Sequence, residues 1–415
     1  MSGARWRGVL AALGVTIGLG GCDGRFPSGW AYVSGVSSTA ATVVWTGADG
    51  ERASCRAPGG ATPGGSATPR GRGLQAVRLE GLAPSTRYVC RLGAAAGMVR
   101  FRTAPAGDEP FTFAAVGDTG DGSREAAALA RRILAGRPAF LVHLGDMAYP
   151  SSRASTLDAR FFRPYRRVLA RVPFFPTPGN HDLVRRSAYR DLFAPIAGGE
   201  APGGPHYAFE WGAAHLVSVS SPEFSDAKGG DPEWLARELA RAVARPWRIV
   251  FLHEPPFTAG ADPEWLAQDL ARAAARPWRI VFLHEPPFTA GAKRTERGLR
   301  KHLEPVVEAG HVDLLLAGHS HLYERAEPAC TVAPGASVLE IVSGGGGANL
   351  DPAPVPRPNF ARALAVTHYL RVHVTLEAID VRAVDLSGRV LDHVRRRRGE
   401  PIACRAEGWP VPRDR

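Results

Sequence analysis

Basic stripes interleaved with aromatic residues, the mark of a nucleic-acid interface, are missing from this 415-residue chain, although its formal net charge is +11. The excess is mostly arginine scattered through an Ala-, Gly- and Arg-rich sequence, and its densest run, Arg395 to Arg398, reads as a solvated strand end. No specific nucleic-acid partner is therefore expected. Disordered or fibrous composition is also lacking: 45% hydrophobic and 22% charged residues fit globular material, at a length that allows two domains. The apolar stretch Val9 to Leu19 is too short to span a bilayer as a helix.

That stretch follows Arg5 and Arg7, the layout of an export signal. It closes on Leu19-Gly20-Gly21-Cys22, which resembles the bacterial lipobox, whose cysteine becomes the lipid-bearing first residue of the mature protein. Residues 1–22 are therefore expected to be a signal peptide with its lipobox cysteine. The product is an exported lipoprotein anchored at Cys22, periplasmic or at the cell surface. Simple cleavage and secretion is the alternative. Only five cysteines occur, and with Cys22 set aside four remain, an even number suited to an oxidising compartment. Cys55 with Cys90 and Cys330 with Cys404 are the expected pairs, each within one candidate domain, although four cysteines allow three connectivities.

Between residues 26 and 105, short β-type runs such as Thr42 to Trp45, Gln75 to Leu79 and Val99 to Arg102 alternate with Gly, Pro and Ser-rich turns. This is the pattern of an all-β sandwich. The segment Leu82 to Tyr88 is similar to the tyrosine corner of immunoglobulin-like and fibronectin type III folds, and no ligand set for chemistry falls in the region. From 110 to 400 apolar strands alternate with amphipathic helices, for example Phe111 to Val116, a helix near Ser123 to Ala135, then Phe140 to Leu144. Later strand-rich segments imply mixed sheets, so an α/β domain of two sheets between helices is expected, with residues 401–415 as a C-terminal tail.

A tandem repeat interrupts this region. Residues 231–261 recur as 262–292, an offset of 31 (262 − 231), and differ only at Arg237/Gln268, Glu238/Asp269 and Val243/Ala274. Two copies are too few for a solenoid, and each reads as one helix followed by one strand.

Five apolar runs end in side chains able to hold a metal: Gly117-Asp118, Gly145-Asp146 with Tyr149, Gly179-Asn180-His181-Asp182, the repeated His253 and His284, and Gly318-His319-Ser320-His321. Strand ends in layered α/β folds converge on one rim, where residues far apart in sequence meet. Carboxylate, imidazole, amide oxygen and phenol suit intermediate to hard metals, and the lack of cysteine argues against a structural zinc site.

Taken in order, these blocks resemble those of the metallophosphoesterase superfamily, across most of residues 110 to 325. Many members carry histidine two residues after the first aspartate. Here Gly120 stands there and Tyr149 follows Asp146 by three, which resembles the purple acid phosphatases. The resemblance implies a four-layer α/β/β/α catalytic fold and a dinuclear centre of Fe(III) plus a divalent ion, Fe, Zn or Mn. In it Asp118, Tyr149 and His321 bind the trivalent ion, and Asn180, His319 and the fourth-block histidine bind the divalent one. Asp146 bridges the two. It implies hydrolysis of a small-molecule phosphate monoester by a metal-activated hydroxide, with His181 acting on the leaving group and Asp182 orienting it.

The repeat leaves the fourth block ambiguous, because His253-Glu254-Pro255-Pro256 and His284-Glu285-Pro286-Pro287 are identical. His284 is favoured, since its link to His319 stays short (319 − 284 = 35) and the surplus copy then falls upstream; His253 is the alternative. The surplus strand is expected to join a sheet. Plant-type members carry histidines roughly nine residues further on, where this chain offers Lys293 and Arg294 as substrate contacts. Two other functions fit the same residues: phosphodiester or nucleotide hydrolysis at this site, or a catalytically inactive, lipid-anchored binding protein.

Overall fold

The computed structural model describes residues 24–27, 29–57, 59, 67–93, 97–184, 186–193, 207–211, 214–219, 247–252, 278–291, 313–326, 338–354 and 360–398. Seven strands come first: β1 Ala31–Ser34, β2 Ala41–Thr46, β3 Ala53–Arg56, β4 Thr68–Gly71, β5 Leu74–Leu79, β6 Arg87–Leu92 and β7 Gly97–Arg102. They pair antiparallel in sheets of order β1-β2-β5-β4 and β3-β6-β7. In β6 every second residue is buried, so one face supplies core and the other meets solvent. Cys55 lies opposite Cys90 in the β3–β6 register, and the two form a disulfide. The Tyr88 hydroxyl accepts the Ala83 N–H at 2.8 Å. Cys330 and Cys404 lie outside the described residues.

The remaining strands are β8 Phe111–Val116, β9 Leu141–Leu144, β10 Phe174–Thr177, β11 Tyr207–Trp211, β12 Ala214–Val219, β13 Trp247–Leu252, β14 Trp278–Leu283, β15 Leu314–Ala317, β16 Tyr323–Ala326, β17 Leu339–Ser343, β18 Phe360–Leu364, β19 His368–Val374, β20 Ala378–Asp385 and β21 Val390–Arg397. Helices α1 Arg124–Ala135, α2 Ala154–Leu157, α3 Arg163–Leu169, α4 Asn180–Leu183 and α5 Arg186–Phe193 lie between them, with a short π-helix joining α2 to α3. One sheet runs β10-β9-β8-β19-β20-β21 and the other β11-β12-β13-β14-β15-β17-β16-β18. Both are mixed. The strands β8, β9 and β10 pair parallel, as do β12 through β15 and then β17, while β19, β20 and β21 in the first sheet and β11, β16 and β18 in the second pair antiparallel with their neighbours.

Parallel strands covered on both faces read as continuous apolar runs, and β9, β10 and β15 are buried at every position. The two sheets meet through aromatic rings, Phe113 against Phe282 at 6.2 Å and Phe140 against Trp211 at 4.9 Å. Helix α1 begins where the Ser123 side chain caps the Ala126 N–H, and it buries Ala126, Leu129, Ala130 and Ile133, the i, i+3, i+4, i+7 stripe of an amphipathic helix. The helical halves of the tandem repeat fall outside the described residues.

The first seven strands are fastened to the rest by a buried seam. Trp30 stacks on Phe162 at 3.9 Å while its indole N–H donates to Asp158 at 3.1 Å, and the Tyr32 and Ser34 hydroxyls donate to the carbonyls of Leu192 and Phe174. A ring that stacks and also satisfies its one donor is a favourable buried use of tryptophan.

The strands of the tandem repeat are neighbours. β13 and β14 pair parallel with equivalent residues side by side, Trp247 opposite Trp278 through Phe251 opposite Phe282. β13 supplies the edge that β12 needs, and β14 the edge that β15 needs. A single copy offers both edges at once. Deleting residues 231–261 should therefore leave a seven-stranded sheet in which β12 pairs with β14 in the register it now keeps with β13. The shortened chain is expected to be soluble, to unfold in one cooperative transition and to retain hydrolytic activity; aggregation or loss of activity contradicts this reading of the sheet.

Candidate metal centre

Three of the site's turns use the same device. β8, β9 and β15 each run into a glycine and then a polar residue in the left-handed region: Asp118 at φ 58°, Asp146 at φ 60° and His319 at φ 67°. Such backbone is uncommon outside glycine and is held only where surroundings over-determine it. Here the strand ends are stitched together. The Asp118 N–H donates to Gly145 at 3.0 Å, the Gly318 N–H to His284 at 2.9 Å and the Gly117 N–H to Ser343 at 3.2 Å. The glycines allow contact: Gly145 sits at φ 96°, a Cβ on Gly318 would stand 2.7 Å from Asp118 Oδ2, and one on Gly179 would overlap Asp146.

Donor atoms converge at this rim. One ligand atom each from Asp118, Asp146 and His284, all buried, lie within 4.8 Å of one another. His284 Nε2 is 3.4 Å from Asp146 Oδ2, and His321 Nε2 is 3.4 Å from Asp118 Oδ1. The Tyr149 hydroxyl donates to Asp118 Oδ1 at 2.9 Å and stands 3.1 Å from His321 Nε2. Ligands bound at about 2.0–2.2 Å around one ion are spaced about 3 Å apart, so these separations suit a shared cation. The His319 ring packs edge-on against His284 at 5.1 Å. Asn180 Oδ1 is buried without a hydrogen-bond partner among the described residues, an acceptor whose burial costs free energy unless a cation or donor meets it. The donor set fits a metal.

The histidines are aimed by their other nitrogens. A carbonyl only accepts, so Nδ1 of His284 carries the proton that it donates to Leu144 at 3.0 Å, and Nδ1 of His321 donates to Asn349 at 2.8 Å. Both rings therefore aim Nε2 at a carboxylate, the nitrogen a metal ligand would offer once it is deprotonated. His321 is held further by its own N–H, which donates to Asp351 at 2.8 Å. Asn349 and Asp351 were not singled out from sequence. The glycine run Gly344 to Gly347 that precedes them is the available signal: added Cβ atoms there would strike Ser320, His368, Gly117 and Ala126.

Gly120 stands where many members of the superfamily carry histidine, and packing accounts for the difference. A Cβ there would lie 2.6 Å from the Ala148 nitrogen and 2.8 Å from the Met147 carbonyl carbon, and the Tyr149 N–H donates to the Gly120 carbonyl at 2.9 Å. The turn that carries Tyr149 fills the space a side chain at 120 would need.

His181, half-buried, donates Nδ1–H to Pro150 at 3.0 Å, and its backbone N–H donates to Asp146 at 3.1 Å. The expected orientation of His181 by Asp182 is corrected by the structure. Asp182 is fully buried and accepts instead from the N–H groups of Gly179 and Met147 and from the Ser152 hydroxyl, at 2.7, 3.0 and 3.0 Å. It braces the turns that carry Asp146 and Asn180, and Pro150 orients the His181 ring. His253, Lys293 and Arg294 lie outside the described residues.

His284 meets Asp146 because β14, unlike β13, borders β15. A second clamp holds that connection. Glu324, wholly buried, accepts the Thr289 hydroxyl and the Ala290 N–H, each at 2.7 Å, while Ser320, between His319 and His321, donates to Thr289 at 3.1 Å. Glu340 accepts the Phe288 N–H at 3.2 Å.

The pocket's electrostatics favour positive charge. Burial opposes the Asp118 carboxylate, yet His284 and His321 more than offset it, and its pKa falls below the usual range. Burial also works against charge on His284, but Asp146 and Asp118 outweigh it and raise that pKa to about 10. Burial first, then Asp118 and Asp146, pushes the Tyr149 phenol well above its ordinary value, so a phenolate there needs a metal. His143, buried against Thr119, is kept neutral chiefly by burial, with its pKa lowered to about 3.

Comparison with known proteins agrees with this architecture. A profile of the calcineurin-like phosphoesterases matches residues 111–323, more than half of the chain, and the chain belongs to that family. It is 29% identical over 355 residues to human acid phosphatase type 7, spanning 77% of this chain and 76% of that protein. It is 23% identical to purple acid phosphatase 22 of Arabidopsis thaliana, over 60% of this chain and 52% of that one. Its fold superposes on the purple acid phosphatase PPD1 of yellow lupin with a TM-score of 0.67 at 16% identity, covering 94% of this chain and 78% of the lupin chain. The fold is that of the metallophosphoesterases, and the protein is a phosphate-ester hydrolase.

Removing the Glu324 carboxylate strands the Ala290 N–H in the core, which costs about 1–3 kcal/mol. Glu324→Ala is expected to unfold at lower urea concentration by that margin, with an unchanged dependence on denaturant. A midpoint equal to that of the parent chain refutes the clamp.

Proposed function

We propose that the chain is an exported phosphatase acting on phosphate monoesters at a dinuclear centre of Fe(III) and a divalent ion, Fe, Zn or Mn. Asp118, Tyr149 and His321 would hold the trivalent ion, Asn180, His284 and His319 the divalent one, and Asp146 would serve both. The observation that carries this reading is the meeting of Tyr149 Oη, Asp118 Oδ1 and His321 Nε2 within 3.4 Å at the mouths of three separate strand connections. A phenol held far from ionisation by its surroundings suits a strongly Lewis-acidic partner. Two ions held there supply Lewis acidity at the phosphoryl oxygens and a nucleophile drawn from water.

The chain's own residues do the rest. Asp146 keeps its carboxylate fixed by accepting the His181 N–H, and Asp182 ties that turn to the one bearing Asn180. With Nδ1–H committed to the Pro150 carbonyl, the atom of His181 that can release a proton is Nε2, which serves the departing alkoxide. The Tyr149 ring lies edge-on to His181 at 4.8 Å and limits its rotation. Export rests on the segment from Arg5 to Cys22, with lipid attachment at Cys22, and the Cys55–Cys90 bond suits an oxidising compartment.

Hydrolysis of aryl phosphate monoesters and diesters by the purified mature protein tests the proposal. Monoesters should be the faster class, and Asp146→Ala should abolish turnover of both; retained turnover in that variant counts against the mechanism. His181→Ala should slow esters with poor alkoxide leaving groups by about 10²–10⁴-fold, the usual worth of a general acid, and nitrophenyl esters far less. An equal loss on both denies His181 the proton-donor role.

A further inference from the structure

Away from the strand-end site, α1 and α3 lie side by side with a cleft of about 280 Å³ between them. Its walls are Ala127, Ala130 and Arg131 from α1, and Arg163, Pro164, Arg166 and Arg167 from α3. No acidic side chain lines it. On α1 these positions stand at i, i+3 and i+4, one face of the helix, and the two alanines leave the floor low. On α3, Arg163 has Arg166 and Arg167 at i+3 and i+4, like charges placed where they destabilise an isolated helix. Arg163 is tied at 2.8 Å to the buried Asp158. Arg131, Arg166 and Arg167 have no ion-pair partner among the described residues.

We propose that this cleft is an anion site for a small phosphate species, separate from the metal centre. Four arginines line one concavity that no acidic side chain lines, and a bound dianion supplies the missing countercharge. Planar guanidinium forks match phosphate oxygens in bidentate geometry. The volume lies just below the roughly 300–1,000 Å³ of ordinary ligand pockets, which selects a single phosphate group over a nucleotide or a polymer. Arg163, fixed by Asp158, is the rigid element on which the three others close. The ligand is soluble phosphate, the product class of a phosphate-ester hydrolase, so the cleft retains or senses product.

Isothermal titration of the metal-loaded protein with inorganic phosphate tests this, beside the same titration of R131Q/R166Q/R167Q and of the control R395Q/R397Q from the basic strand β21. The parent and the control should bind two phosphates per chain and the triple variant one, with hydrolysis of an aryl phosphate unchanged. Removing one charge-assisted hydrogen bond weakens affinity about tenfold, so in the triple variant the second event should vanish from the measurable range. R131K/R166K/R167K, which keeps charge but loses the forks, should bind about tenfold more weakly than the parent. The Gln variant should melt no lower than the parent, since repulsion is removed, and phosphate should raise the melting temperature of the parent more than that of the variant. One phosphate per chain in the parent, equal binding in the triple variant, or the same loss in the β21 control overturns the proposal. Vesicles carrying anionic phospholipid should fail to compete with free phosphate; competition assigns the cleft to a headgroup instead and overturns the soluble ligand.

Discussion

Two carboxylates, Asp118 and Asp146, are buried within one small pocket, and like charges so placed are costly unless a cation stands between or beside them. Much of the neighbouring structure serves that demand. Without a metal, His284 takes the positive charge, its pKa lifted to about 10 against the pull of burial. A metal bound there would take the place of that proton, and Nε2 is the atom this ring would offer it. The backbone shows the same commitment: Asp118, Asp146 and His319 keep left-handed conformations that the surrounding strand ends hold in place.

Strand adjacency decides which residues can join them. Parallel strands lie about 4.8 Å apart, and β14, which borders β15, brings His284 beside His319 at the Gly318–His321 turn. The tandem repeat duplicates a strand and a histidine but not this position. β14 has it and β13 does not. Glu324 and Ser320 then fasten the chain after His284 to the turn that bears His319 and His321.

Much of this was legible in the sequence because it is written in local patterns. Apolar runs ending in Gly-Asp or Gly-His mark β8, β9 and β15 and the side chains they present at the rim, and the bounds of β8 and of helix α1 fall within a residue of the pattern. The mixed sheets followed from the strand-rich end of the chain. Less legible were contacts between distant segments. Asp182 sits beside His181 in sequence, yet its oxygens face Gly179, Met147 and Ser152, because α4 turns the two side chains apart. The carbonyls of Leu144, Pro150 and Asn349 that set three histidine tautomers leave no trace in side-chain identity at all. The departure at Gly120 was visible in the sequence, but only the nearness of Met147 and Ala148 shows that the position has no room for a side chain.

Anomalous diffraction from crystals of the metal-loaded protein would locate the cations themselves. Two scattering peaks should flank the Asp146 carboxylate, one touching Asp118, Tyr149 and His321, the other Asn180, His284 and His319. A single peak, or peaks remote from Asp146, would contradict a centre built around that carboxylate.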